Sequence, residues 1–523
     1  MLLDGTQVSL DKSLEILSNF SCISGLAINY EKTNVYKIGQ LKHMQGIYDT
    51  KQLVKWSMGP IDTLGVKIPI INRNAIYEIN YQPKIRELVL KFKRWGCRKL
   101  SLKGKVTIVK TYGISKLLYL ASVLPMPPDD IISSINTKIF NFIWNDKNDK
   151  IKRDVMINTF ENGGLKLPHF KTFCKSLKIT WVKRYIAENF KENQWIQLSH
   201  WCLQNVGGKF IFSCNLESDD INRLNLKSTF WTDILKSWCE YNFEKKNEIQ
   251  NVNAQSIWFN SHIRVANKVL YNESCINNQL MVLDNLYYDC ILLDRTLINI
   301  IYDTNLNIME YNSIISAIPR AWKRSMAQNI NPQLSHTKSI KYEQLNTMGI
   351  KCISKHVYTE LIKNVTKSVN LQEKWSQYMI DNLNITNKCF THIYKVTIDN
   401  TLRSFQFKLL HRILYFNDKL YVFGLTNSDQ CDVCNKMSDS IEHRMWFCDD
   451  TQLIWIGIMQ WYNEHLHTNV SVSYSDVISN ISNNSLLDFI ILSTKYYIYK
   501  CFIKKRPHFV QTLVDDILYL EKI

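Results

Sequence analysis

Cys431, Cys434, His443 and Cys448 stand in the order C-x2-C-x8-H-x4-C within the stretch CDVCNKMSDSIEHRMWFC. Thiolates and imidazole are donors that Zn2+ prefers, and four of them close a tetrahedral structural site. A C-x2-C turn lets two thiolates face one point, and a His and a Cys five residues apart on an emerging helix can complete the set. The expectation is one structural Zn2+ per chain. The competing reading is a pair of buried cysteines beside a surface histidine. Apart from the close pair Cys431 and Cys434, the twelve other cysteines of the fourteen, Cys448 included, stand singly in the sequence, the pattern of reduced, buried thiols rather than of a disulfide framework.

The flanking segments must hold these donors in place. LRSFQFKLLHRILYFNDKLYVFGL (402–425) puts Phe405, Leu409, Ile413 and Phe416 on one helical face, which predicts an amphipathic helix leading into the Cys/His loop. After Cys448, LIWIGIMQWYNEHL repeats bulky residues at Ile454, Trp455, Ile458, Met459 and Trp461, so a second helix is expected to cover the site. His411, beside the first apolar stripe, is read as a structural or surface residue.

Charge points to a polyanionic partner. Among 523 residues, 64 Lys and Arg face 47 Asp and Glu, a formal net charge of +17, and such an excess favours nucleic acid. The excess is concentrated in KIRELVLKFKRWGCRKLSLKGKVTIVK (84–110), with ten basic residues and one acid, Glu87. Ile85, Leu88, Val89, Phe92 and Trp95 form a core stripe at helical spacing. Lys91, Lys93, Arg94, Arg98, Lys99, Lys103, Lys105 and Lys110 are the candidate phosphate contacts, the alternative being a solvated charged face. The prolines at 125, 127 and 128 break the next helical pattern, with Asp129 or Asp130 expected to cap the helix that follows.

The chain is 46% hydrophobic, enough for a large core divided into several domains. No membrane span is expected, because the apolar run LLDFIILSTKYYIYKCFI is broken by Asp488 and Lys495. MLLDGTQVSL lacks a basic n-region, so it is not a secretory signal, and the protein is expected to be intracellular. Near the start, Ser9 is a candidate N-cap, Leu10, Leu14 and Leu17 share a face, and Gly25 marks a stop. AINYEKTNVYKIG then alternates like a strand, and WSMGPIDTLGVKIPI resembles a hairpin with glycines at 59 and 65. A helix and strand cannot complete a sheet, so the sequence is expected to begin inside a domain. The fold class expected is mainly α, with a small α/β remnant at residues 1–75.

The segments GLAINYEKT, TLGVKI, LSLKGKVTIVKTYGISKLLYLASVLPMPP, FNFIWNDKNDKIKRDVMINTFENGGLKLPHF and FQFKLLHRIL, followed by the Cys/His cluster, resemble successive landmarks in the C-terminal part of LINE-type (non-LTR) retrotransposon reverse transcriptases. The ordered resemblance covers nearly the whole chain, and the Asn-rich stretches 190–255 and 466–486 are its least distinctive parts. It implies that residues 1–75 are the end of a palm, 76–190 a basic helical thumb, 191–400 a helical linker or wrist, and 401–470 a zinc-binding domain, with a helical segment at 471–523. Retroviral-type knuckles carry four residues between the second Cys and the His, and this chain carries eight, so that module is not matched.

The resemblance also implies roles. Lys32 falls where the family's motif D lysine lies, able to protonate leaving pyrophosphate as a general acid; the alternative is an ordinary strand-end lysine. Leu64 and Gly65 resemble the primer-grip turn. The implied partners are RNA and DNA as template and primer, and the implied locations are the nucleus and a cytoplasmic ribonucleoprotein. Nucleotidyl transfer requires two divalent ions held by palm carboxylates, so Mg2+ belongs to the intact parent polymerase. The pairs Asp129-Asp130, Asp449-Asp450 and Asp515-Asp516 do not resemble the catalytic strand. Residues 1–523 are therefore expected to bind template and primer without polymerising. The alternatives are a separate nucleic-acid-binding zinc protein derived from such an element, and a helical interaction protein.

Overall fold

The computed structural model describes residues 3–43, 54–187, 193–249, 251–328, 340–378, 385–482 and 484–521. Helices dominate, and the described strands form four two-stranded sheets whose strands are two or three residues long. The mainly α expectation holds.

The first helix, Gln7–Ser24, is capped by Thr6 and not by Ser9: the Thr6 hydroxyl accepts from the Ser9 N–H at 3.2 Å. Gly25 ends it at φ 71°, donating its N–H to the Ser21 carbonyl. Only Asn34–Tyr36 of the alternating stretch becomes a strand, and it pairs in parallel with Lys55–Ser57. Ile61–Thr63 and Val66–Ile68 form the expected hairpin. Its loop is Leu64 and Gly65, both at positive φ (50° and 78°), the two-residue turn whose twist matches that of paired strands. Buried Asn80 then clamps the hairpin to the Ala75–Gly96 helix. Its amide donates to the Lys67 carbonyl at 2.7 Å and accepts from the Lys67 N–H at 2.9 Å.

Two hydrophobic cores follow. The first joins residues 66–174 to 371–517, and the second runs from Ile179 to Leu361. The helix Phe170–Ala187 belongs to both, with Phe170 and Cys174 in one and Ile179, Val182 and Tyr185 in the other. Residues 371–396 therefore pack with the Cys/His segment rather than with the linker. The expected boundary at 190 lies outside the described residues. The second core is built on aromatic packing, with Trp238 edge-on to Phe212 and its indole N–H donating to the Phe212 carbonyl at 3.0 Å.

No helix among the described residues is long and apolar enough to cross a membrane. The run broken by Asp488 and Lys495 is the core helix Ser485–Lys504, and both charges are buried there with partners. Asp488 accepts from His392 at 2.7 Å and from the N–H and hydroxyl of Ser482. Lys495 donates to Gln406 and to the Val477 carbonyl. All described cysteines are unbridged, but Cys22, Cys97 and Cys352 are exposed, against the expectation of burial. Asp129 caps nothing: Pro128 occupies the N-cap, and the Asp129 carboxylate reaches Lys171 at 2.7 Å.

The seam within the first core turns on His411. The helix expected within 402–425 stops at Leu410, and Arg412 enters the left-handed region at φ 55°. His411, buried between the rings of Phe407 and Phe390, donates from Nε2 to the Gly163 carbonyl at 2.8 Å. Burial, then the neighbouring Lys374 charge, pushes its pKa down to about 3. The unfolded imidazole titrates near 6.5, so between these values the unfolded chain holds more protons and stability falls as pH falls. The contribution is complete above about pH 6.5, falls by roughly 2 kcal/mol by pH 5, and is lost on approach to pH 3. His411→Gln should flatten this part of the urea-unfolding profile relative to wild type. Superimposable profiles would refute the role.

Candidate metal centre

The Cys/His segment folds as a tight loop followed by an unusual helical turn. Cys431 donates its N–H to the Met437 carbonyl, and its own carbonyl accepts from Asn435, which sits at φ 56°. Gln430 and Ser438 bridge across the loop, so Cys431 and Cys434 lie on one tight bend. On the other side, His443–Phe447 is a π-helical turn closed by the Cys448 N–H to the His443 carbonyl at 2.8 Å. Five residues of α-helix would rotate His443 and Cys448 roughly 140° apart; the wider i→i+5 turn brings them closer to one side. The expected ordinary helix across this spacing is therefore corrected to a π turn. Cys448 ends that turn and serves as N-cap of the next helix, Asp449–Leu466.

The four donor atoms lie within 4.8 Å of one another. Cys431 and Cys448 sulfurs are 3.9 Å apart, and the Cys434 sulfur is 3.3 Å from His443 Nε2. A tetrahedral Zn2+ with Zn–S near 2.3 Å sets sulfur–sulfur edges of about 3.8 Å, so the donor set fits the ion. The hydrogen bond between the two sulfurs, ahead of burial, raises the Cys431 thiol and lowers that of Cys448. Backbone N–H groups of Thr451 and Asp450, at the positive end of the following helix, add to the stabilisation of the Cys448 thiolate.

An ion triad around a buried arginine, not foreseen from the sequence, braces the loop. Arg444 is fully buried, with Nε donating to Asp439 at 2.7 Å and Nη2 to Asp439 at 2.6 Å and to Asp432. Its guanidinium lies over the Phe502 ring, 4.9 Å from the centroid. The available signal was an arginine between His443 and Met445, on a segment whose neighbours had to be buried.

The basic candidates separate. Lys93 and Arg94 are exposed in the last turn of Ala75–Gly96, and Lys99 and Lys110 are exposed beyond it. Arg98 lies over Trp95 at 4.5 Å, and Lys91 pairs with Glu87 at 3.1 Å. Lys103 sits over the Tyr394 ring at 4.4 Å, its pKa lowered by partial burial and then by Arg403. Lys105 is a correction. It is buried, and its ammonium donates to the carbonyls of Phe142 and Ile143, each at 2.9 Å, and to Asn145. It thus closes the C-terminus of Asp129–Trp144 and has no face for phosphate.

Lys32 is exposed on the turn before Asn34–Tyr36, its N–H held by Asn29. Leu64 projects from the hairpin tip at 87% exposure. At Gly65 a Cβ would meet nothing within 4 Å, so the turn requires its backbone freedom and not its small size. Neither Lys32 nor the hairpin tip is gathered with the Cys/His cluster, which is the one group of three or more His, Cys, Asp or Glu placed to hold an ion among the described residues. Residues 370–455, from Asn370 capping the Leu371–Ser376 helix through all four donors, match the family described as zinc-binding in reverse transcriptase, so the chain carries a reverse-transcriptase-related zinc module.

Proposed function

We propose that the chain is the downstream part of a LINE-type (non-LTR) reverse transcriptase, and that residues 1–523 bind template and primer without extending it. The observation that carries this is the Cys3His cluster inside a segment similar to the zinc-binding module of reverse transcriptases. In this reading residues 1–75 are the end of a palm, 76–190 the thumb, 191–400 the linker or wrist, of which 371–396 pack with the zinc-binding domain at 401–470, and 471–523 its helical continuation. Zn2+ is structural, and Mg2+ serves the intact polymerase. The nucleus and a cytoplasmic ribonucleoprotein are the places of action.

Two physical features support the assignment. The Gln7–Ser24 helix exposes Val8, Ile16, Phe20 and Ile23, and the parallel pair that follows it in sequence is three residues long. Parallel strands are stable when both faces are covered in a larger sheet, which suits a palm edge. The exposed Lys93 and Arg94 give the thumb a surface for the phosphate backbone. The paired aspartates offer no substitute for the two-metal carboxylates, because Asp129-Asp130 and Asp449-Asp450 begin helices and Asp515-Asp516 lie within one.

Salt titration of template-primer binding tests this. Log affinity against log salt should fall by about 0.9 per phosphate contact on duplex, and K93E/R94E should flatten that slope by about two contacts. Equal slopes would remove this helix from the interface. Primer extension by residues 1–523 with Mg2+ and nucleotides would overturn the assignment.

A further inference from the structure

Where the zinc module meets the last two helices there is a cleft of about 390 Å³, lined by Asp432, Arg444, Lys505, Arg506 and His508 among others. Two groups in it are buried with polar atoms unused. Arg444 has no exposed surface, and its Nη1 has no hydrogen-bond partner among the described residues. Both ring nitrogens of His508 are likewise buried and without partners among them. A buried polar group left unmatched costs roughly 1–3 kcal/mol, and more when charged.

The Arg444 guanidinium is held rigidly, by Asp439 and Asp432 on Nε and Nη2 and by the Phe502 ring beneath it. What remains is Nη1, buried and without a hydrogen-bond partner among the described residues, on a side chain that lines the cleft. The chain then turns two more cations to the same place. Lys505 ends the Ser485–Lys504 helix at φ 48°, and the Arg506 N–H closes the turn onto the Cys501 carbonyl at 3.0 Å. Glycine is the usual residue at such a position, and a lysine there carries backbone strain. Among the described residues that line the cleft the one carboxylate, Asp432, is already paired with Arg444.

We propose that this cleft is a phosphate-binding subsite that takes a backbone phosphate of a nucleic-acid strand running past the zinc module. Guanidinium donors match phosphate oxygens in geometry and charge; the Arg444 Nη1 and Arg506 supply them, while Lys505 adds a point charge and His508 a neutral ring donor. The identity of the strand rests on the nucleic-acid reading above; the phosphate chemistry does not.

The test uses the full zinc-loaded chain and K505Q/R506Q, two exposed positions whose replacement leaves the Arg444 triad intact. Binding of a single-stranded DNA oligonucleotide is measured against salt, beside K93E/R94E. The cleft variant is expected to weaken binding several-fold and to make the slope shallower by about 0.7 for each phosphate it no longer neutralises, independently of the helix variant. Wild-type binding with an unchanged cleft-variant slope overturns the subsite and leaves the nucleic-acid reading standing. In a second arm, inorganic phosphate is titrated while the His508 ring resonances are followed. A shift present in wild type and absent in K505Q/R506Q supports the subsite even where the oligonucleotide does not bind, an outcome that would sink the nucleic-acid reading alone. No response to either probe overturns the proposal.

Discussion

Removing the metal, by chelation or by Cys434→Ser, is expected to unfold residues 417–440 locally while the helices between 75 and 187 stay folded. The reason lies in what else could hold that segment. Among residues 421–440 only Cys431 and Asp439 are buried, and the Asn417–Val422 helix buries nothing. A segment with so little apolar surface in the core cannot offset its ordering entropy of about 1–2 kcal/mol per residue from packing. The remaining ties are the pairs of Arg444 with Asp439 and Asp432, the exposed Lys436–Asp449 pair and a few hydrogen bonds to the backbone. Structural zinc contributes roughly 10–16 kcal/mol of apparent binding free energy in small modules, which makes it the dominant support here. Cys434 is the least buried donor, so serine there removes a ligand with the smallest disturbance to packing. Hydrogen exchange read by peptide should rise across 417–440 and stay low in Ala75–Gly96. Zinc analysis should give one ion per wild-type chain. Unchanged exchange after chelation, or a chain purified without zinc that shows full protection, would refute the metal's role.

The Cys/His spacing was legible because metal ligands must appear as residue types, whatever fold surrounds them. Its geometry was not, since nothing in H-x4-C distinguishes an α from a π turn; the hydrogen bond from Cys448 to His443 decides it. Lys105 shows a different limit. In sequence it is one of ten basic residues in a run, but its ammonium reaches carbonyls 37 and 38 positions away, and local composition carries no trace of such a long-range bond. Phe405, Leu409, Ile413 and Phe416 are all buried as their spacing predicts, yet the helix stops at Leu410. Periodicity identified the apolar residues and missed the break, because the loop beyond buries the same side. The second core escaped notice because its Asn-rich surroundings mask widely spaced aromatics such as Trp238 and Trp258.

The largest effect outside the metal centre is expected at Gly164, in the motif NGGLKLP. The turn there is crowded by its own backbone. Gly164 donates to the Thr159 carbonyl at 2.8 Å, Lys166 to Asn158 at 2.8 Å, and Leu165 and Leu167 both to Met156. A Cβ on Gly164 would lie 2.1 Å from the Asn158 carbonyl oxygen and 2.6 Å from that of Val155. Neither oxygen belongs to a flexible side chain, and Asn158 cannot retreat without losing Lys166. At Gly163, with φ 80°, an added Cβ meets the Phe390 ring at 2.8 Å, and a ring can tilt. At Gly59 the nearest atom is 3.8 Å away. Alanine should therefore destabilise in the order Gly164, Gly163, Gly59, with more than about 4 kcal/mol at the first and a change within about 0.5 kcal/mol at the last. The consequence extends beyond the turn, because the Gly163 carbonyl accepts from His411 and the Asn162 carbonyl from Val369. These bonds join the basic helices to the segment that carries the zinc ligands. Gly164→Ala should thus loosen hydrogen exchange on both sides of that seam, in residues 153–167 and 400–411 together, where an isolated loop defect would loosen only the first. A urea midpoint equal to wild type would show that the turn relaxes in a way this packing does not allow.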